Sequence, residues 1–162
     1  MEQLWLQVAV VLSVLGNAML AGIYASFVCA IAPGFKTLSD TEYVNTFRKI
    51  NAAIVNPGFL TLFLLSPALS VITAVGLFHD WSQSWPVVLG SALSVASTLI
   101  STMINFPLNR LLAQRRIVAP WEARRARRLF QGPWNRWNVL RMLGNAGAAV
   151  GIMLVILHPG AS

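Results

Sequence analysis

Eight polar side chains lie in or beside long apolar stretches and have chemistry to offer: Tyr24, Asn51, Asn56, Asn105, Asn109, Asn138, Arg141 and Asn145. Polar groups inside an apolar helix bundle usually face inward, toward partners or a cavity. Asn105 and Asn109 are four apart, which puts them on one helix face. Asn138, Arg141 and Asn145 share a second face. Pro107 lies between the first pair and frees nearby backbone groups. Arg141 is the charge closest to an intramembrane position, and no acid lies near it in sequence. An unpaired buried cation is costly, so asparagine carbonyls are expected to accept from it. Snorkelling to the interface is the competing reading of Arg141. The face shared with Asn138 and Asn145 favours the pocket. For the asparagines, interhelical hydrogen bonding and ligand contact stand equal.

Such residues make a neutral-to-positive apolar pocket. It suits a flat lipophilic molecule with an ionisable oxygen. Arg141 would stabilise negative charge developing on that oxygen, with Asn109 and the other asparagines as donors. Tyr24 would relay a proton, although an ordinary phenol pKa of about 10 makes it a weak base at neutral pH. Several redox designs are excluded. Cys29 is the only cysteine, so there is no dithiol relay. His79 and His158 are the only histidines. Both are expected at the outer surface, where they serve neither as haem ligands nor as a good metal site. There is no carboxylate set for a di-iron centre and no phosphate-binding glycine loop. The expected chemistry uses no metal and no resident cofactor.

The elements that position these residues follow from where charge is missing. Among 162 residues, 56% are hydrophobic and 10% charged, against about 25% charged in a typical soluble domain. This composition argues against a soluble enzyme, a disordered tail or a nucleic-acid-binding domain. Residues 3–35, 50–78, 81–109 and 142–162 carry no charge, with Asp80 between the middle two. Each run reaches the ~20 residues that cross a bilayer core as a helix. Four transmembrane helices are predicted, at about 4–32, 51–78, 85–109 and 138–157. No run alternates as a barrel strand would. All 12 basic residues fall in 33–49 and 110–141, the first and third connections. The positive-inside rule makes that side cytoplasmic. Both termini then lie on the non-cytoplasmic side of a membrane, assigned as a bacterial inner membrane. A signal peptide ending at Ala30-Ile31-Ala32 is disfavoured, because there is no basic n-region and the run is too long. The arginine-rich connection is read as setting topology and meeting anionic headgroups, not nucleic acid.

Ser39-Asp40-Thr41-Glu42 has the capping-box pattern. A helix from about Asp40 should run into the second span and kink at Asn56-Pro57. After Pro120, residues 121–130 read as a short basic helix at the interface, ended by Gly132-Pro133. Its Trp121, Leu129 and Phe130 are expected to dip into lipid. The stripe Ala18, Gly22, Ser26 and Ala30 and the pair Gly147 and Gly151 are expected to pack within the bundle. The fold class is therefore all-α. The whole chain, 1–162, is one transmembrane four-helix bundle, with a short interfacial basic helix between spans three and four.

Three stretches carry a family resemblance: residues 51–59 (Asn51, Asn56, Pro57, Phe59), residues 104–109 (Asn105, Pro107, Asn109) and residues 134–141 (Trp134, Trp137, Asn138, Arg141). They resemble the signatures of the anthrone-oxygenase-like membrane family, and Gly22 and Pro33 also fit. The resemblance covers nearly the whole chain. It implies a small four-helix membrane protein that oxidises a lipophilic aromatic, an anthrone or a quinol-like molecule, with dioxygen. Carried over, it implies a site at Asn51, Asn56, Asn105, Asn109, Trp137, Asn138 and Arg141. Arg141, Asn109 and Tyr24 are the expected catalytic groups. Asn51, Asn56, Asn105, Asn138 and Trp137 are the expected substrate contacts. The alternative is a non-catalytic subunit that binds lipid, quinone or pigment, or packs in a homo-oligomer or larger membrane complex.

Overall fold

A computed structural model describes residues 2–78 and 81–157. Every element among them is helical. The first span is α1 (Glu2–Ser26), a π-helical turn Phe27–Ile31, the short α2 (Ala32–Gly34) and a 3-10 turn Phe35–Thr37. Next come α3 (Asp40–Ile54) and α4 (Pro57–Gly76). The third span is α5 (Trp81–Ile100), a π-helical turn Ser101–Asn105 and α6 (Phe106–Gln114). The last helix, α7 (Pro120–Leu157), has 38 residues. Four of these stretches are long and apolar enough to cross a membrane: Leu4–Thr37, Pro57–Gly76, Ser84–Gln114 and Pro120–Val155. The expected positions of His79 and His158 lie outside the described residues.

The side chains sort as lipid demands. Apolar residues gain nothing by leaving hydrocarbon, so small and polar residues take the interior of a membrane bundle. Ser13, Asn17, Ser66, Ser70, Ser94 and Ser101 are buried, while Leu64, Val75 and Met103 face outward. Ser13 and Ser70 share a hydrogen bond of 2.8 Å, and the Asn17 amide donates to Ser70 Oγ at 2.9 Å. The Ser91 hydroxyl donates to the Ser70 carbonyl at 2.5 Å. These bonds tie α1, α4 and α5. Gly147 and Gly151 bring α7 against α5: a Cβ on Gly151 would meet the Pro86 carbonyl oxygen at 2.8 Å. The glycine pair thus packs internally as expected. The span-one stripe does not, since Ala18, Gly22, Ser26 and Ala30 are all exposed.

Two of the predicted joints differ. The helix from Asp40 does not run on into the second span. It stops at Ile54; Val55 leaves the helical region and Asn56 is extended, with φ −120° and ψ 163°. A residue before proline is pushed out of the helical region, so the chain breaks rather than kinks. The Asn56 side chain then caps α4 by accepting from Phe59 N at 3.0 Å. Span two therefore begins at Pro57 and not at 51. The capping box at Ser39 and Glu42 is present as expected. Hydrogen bonds from the Ser39 hydroxyl and backbone N–H hold the Glu42 carboxyl below its usual range.

The second difference is in α7. There is no separate basic interfacial helix, because Gly132-Pro133 does not end it and Pro133 lies inside one continuous helix. Phe130 and Trp134 flank the proline, and both are buried in one aromatic cluster. That packing holds the backbone helical on both sides and overrides local propensity. Phe130 therefore faces Phe47 at 4.6 Å between ring centroids rather than lipid. Trp121 and Leu129 are exposed, as expected. At 1.5 Å per residue α7 is about 57 Å long, well beyond a hydrocarbon core of about 30 Å. Its arginine-rich start must therefore project past the core.

Two arginines at this basic end act as structural pins. Arg48 donates to the Leu112 carbonyl at 2.8 Å and 3.0 Å and also to the Arg115 carbonyl, closing the C-terminus of α6. Arg127 donates to the carbonyls of Phe35 at 3.0 Å and Leu38 at 2.9 Å. It pairs with Asp40 at 3.3 Å and lies over the Tyr43 ring at 4.5 Å. Together they clamp α3 onto α6 and α7.

Candidate functional site

One face of α7 organises the site. Trp134, Asn138, Arg141 and Asn145 follow at spacings of four, three and four, and all are buried. Arg141 is 5% exposed and has no carboxylate partner among the described residues. It donates to Asn138 Oδ1 at 2.8 Å and to Ser101 Oγ at 3.2 Å. Its guanidinium lies over the Tyr24 ring at 4.3 Å and the Trp134 ring at 5.5 Å. Arg141 Nε is buried without a partner. Neutral acceptors and ring faces therefore hold this cation. It faces the interior and does not snorkel.

The asparagines take different roles. Asn138 is used on both sides: its Oδ1 accepts from Arg141 and its amide donates to the Tyr24 carbonyl at 3.1 Å. It orients the arginine. Asn145 donates to the Arg141 carbonyl at 2.9 Å, one turn deeper. Asn109 Oδ1 accepts from Trp134 Nε1 at 2.7 Å. With that oxygen engaged, the Asn109 side chain has its amide N–H donors left to offer. Asn105 donates to the Trp134 carbonyl at 3.4 Å, and its Oδ1 is buried without a partner. Asn105 and Asn109 thus do meet one neighbour, the same tryptophan.

A cleft of about 60 Å³ opens among these groups. Tyr24, Asn51, Asn109, Trp134, Asn138 and Arg141 all line it. Phe27, Phe47, Phe59 and Phe106 complete an aromatic wall, and Ile50 and Ile54 of α3 close it from the basic end. The π-helical turn Phe27–Ile31 supplies Phe27 to the lining, and the turn Ser101–Asn105 ends just before Phe106, which also lines the cleft. Such turns accommodate one extra residue and recur at functional sites. Here they carry Phe27 to the wall and Ser101 beneath Arg141.

Of the expected site residues, Tyr24, Asn51, Asn109, Asn138 and Arg141 come together at the cleft. Asn105 lies behind it, under Trp134. Asn56 does not join them, because it is spent on capping α4 and is exposed. Trp137 is half-buried away from the lining, on another face of α7. Trp134 is the tryptophan in the site. Its spacing of four and seven from Asn138 and Arg141 was a readable signal, since i, i+4 and i+7 share a helix face.

No curated protein and no solved structure matches the chain. A family model described as anthrone oxygenase matches residues 57–151, and with more than half of its length matched, the chain belongs to the anthrone oxygenase family.

Proposed function

We propose that this protein oxidises a lipophilic anthrone-like phenol with dioxygen, without a bound metal or resident cofactor. The observation that carries the reading is Arg141, a buried cation with only neutral partners beside a cleft walled by aromatic rings. Such a site favours an anion over a neutral molecule. In the reaction, the central CH₂ of the anthrone gives up a proton to water, with Tyr24 next to the site as relay. The electron pair delocalises through the rings onto the ketone oxygen, which Arg141 and the Asn109 amide stabilise. The carbanion passes one electron to dioxygen, and the two radicals join as a carbon-bound peroxide. Protonation, loss of the second CH₂ hydrogen and cleavage of the O–O bond give the quinone carbonyl and water.

The cleft must open for this. At about 60 Å³ it is well below the roughly 300–1,000 Å³ of ordinary ligand pockets. Phe47, Ile50, Asn51 and Ile54 of α3 form one wall, and the break at Val55 and Asn56 joins α3 to α4. Arg48 and Arg127 pin the rest of α3, so we take its last turn, residues 50–54, as the part that yields to admit substrate from the adjoining lipid leaflet. The basic end then faces the cytoplasm by the positive-inside rule, with both termini on the other side.

The test is oxygen uptake with an anthrone, using purified protein in nanodiscs at neutral pH. The expected result is quinone formation well above autoxidation, with one dioxygen consumed per quinone. A rate equal to that of empty nanodiscs would overturn the oxygenase reading. An anthrone retained without turnover would then leave a binding protein.

A further inference from the structure

At the basic end, outside the cleft, two neighbouring depressions share one arginine. The first has a volume of about 400 Å³ and lies between α6 and the start of α7. Leu108, Leu111, Leu112, Ala126, Leu129 and Phe130 make its walls apolar. Leu111 and Leu129 are 65% and 57% exposed, so no described residue covers it. The second, about 240 Å³, is lined by Arg115, Arg116, Trp121, Glu122 and Arg125. Arg115 lines both.

Three arginines face one acid in the second depression, so their charge is compensated only in part, chiefly at Arg116. Its one acid, Glu122, accepts from the backbone N–H groups of Val118 at 2.6 Å and Ala119 at 3.0 Å. Neither Arg115, Arg116 nor Arg125 forms a salt bridge with a described residue. Arg48 already neutralises the carbonyls at the end of α6. With the arginine-rich start of α7 taken as the part beyond the hydrocarbon core, both depressions fall at headgroup level. The exposed Trp121 beside them fits that level.

We propose that the paired depressions form a seat for one anionic phospholipid. An acyl chain lies along Leu111 and Leu129 in the apolar groove, and the phosphate is held by Arg115, Arg116 and Arg125. The charge complementarity selects an anionic lipid over a neutral one. A basic residue near an anionic surface contributes on the order of fivefold in affinity, so two of the three arginines account for about 30-fold.

The experiment is native mass spectrometry of the full chain, with phosphatidylglycerol and phosphatidylcholine of identical acyl chains in competition. Wild type should retain one phosphatidylglycerol, preferred by tenfold or more. Arg115→Gln with Arg125→Gln should bring the preference close to one. Both side chains are exposed, so the fold should survive, and retained unfolding temperature checks it. Arg110→Gln with Arg136→Gln removes the same charge from exposed positions outside both depressions and should leave the preference intact. Glycerol phosphate, which carries the headgroup charge without the chains, should not compete. The seat is overturned by equal retention of both lipids, by equal loss in the two double variants, or by displacement with glycerol phosphate.

Discussion

Replacing Arg141 with methionine separates a working cation from a structural one. The substitution keeps an unbranched apolar stem and removes the charge. Two hydrogen bonds disappear, to Asn138 at 2.8 Å and to Ser101 at 3.2 Å. Bonds from a charged donor contribute about 1.5–3 kcal/mol each. The contact over the Tyr24 ring at 4.3 Å adds about 1–2 kcal/mol. Together these losses amount to roughly 4–8 kcal/mol. Against them stands the desolvation of a buried ion, several kcal/mol. No carboxylate is left uncompensated when the cation goes. The net change in stability should therefore fall within about 2 kcal/mol, a shift in Tm of no more than about 8 °C. Turnover of an anthrone should fall by about 10²–10³, the cost of removing an oxyanion donor. Oxygen uptake and thermal unfolding of the same nanodisc preparation read both quantities. Turnover within about threefold of wild type would refute the role given to Arg141. A fall in Tm of about 20 °C would show that the cation holds the bundle together instead.

Trp134→Phe keeps the ring but deletes the donor to Asn109, which should cost about 1–2 kcal/mol in thermal unfolding and lower turnover about tenfold as Asn109 loses its orientation. Asn56→Ala removes the cap of α4 and should cost about 1 kcal/mol with ligand affinity unchanged, measured by titration of a fluorescent anthrone. Gly151→Ala places a Cβ 2.8 Å from a backbone oxygen, so α5 and α7 must separate and folded yield should drop sharply. Gly22→Ala meets open space and should leave yield unchanged. Burial raises the Tyr43 phenol above its ordinary value, opposed by the charge of Arg127. The folded state thus favours the protonated form, so this contribution is full below about pH 10 and fades as pH rises toward the higher folded value. Thermal unfolding at increasing pH above 10 should fall for wild type and less for Tyr43→Phe.

Much of the bundle is visible in the chain because hydrocarbon imposes a one-dimensional rule. A span must be long, apolar and uncharged, and residues 57–76 meet that rule without help from their neighbours. The capping box at Ser39 is equally local, and the pair Gly147 and Gly151 is a local pattern even though its partner, α5, is distant in the chain. Where a joint depends on local chemistry that competes with packing, the reading divides. At Asn56-Pro57 the local rule wins, and the chain breaks where a kink was expected. At Gly132-Pro133 packing wins, because Phe130 and Trp134 anchor the helix on either side.

The site shows the same division. Helical spacing and depth alone bring Tyr24, Asn109, Asn138 and Arg141 to one level, since residues four or three apart share a face. What each polar group does there is a matter of partners, and partners come from other helices. Asn56 and Asn51 look alike in sequence, yet one is spent on a backbone cap and the other lines the cleft. Trp134 and Trp137 are three residues apart; the spacing to Asn138 and Arg141 points to the first, and its packing against Phe27, Phe47 and Asn109 fixes it. The membrane setting, the clustering of charge in two connections and the depth of the polar groups are legible in the chain, because they depend on position along a helix. Which of those groups face the cleft emerges on folding, because facing is set by neighbours distant in the chain.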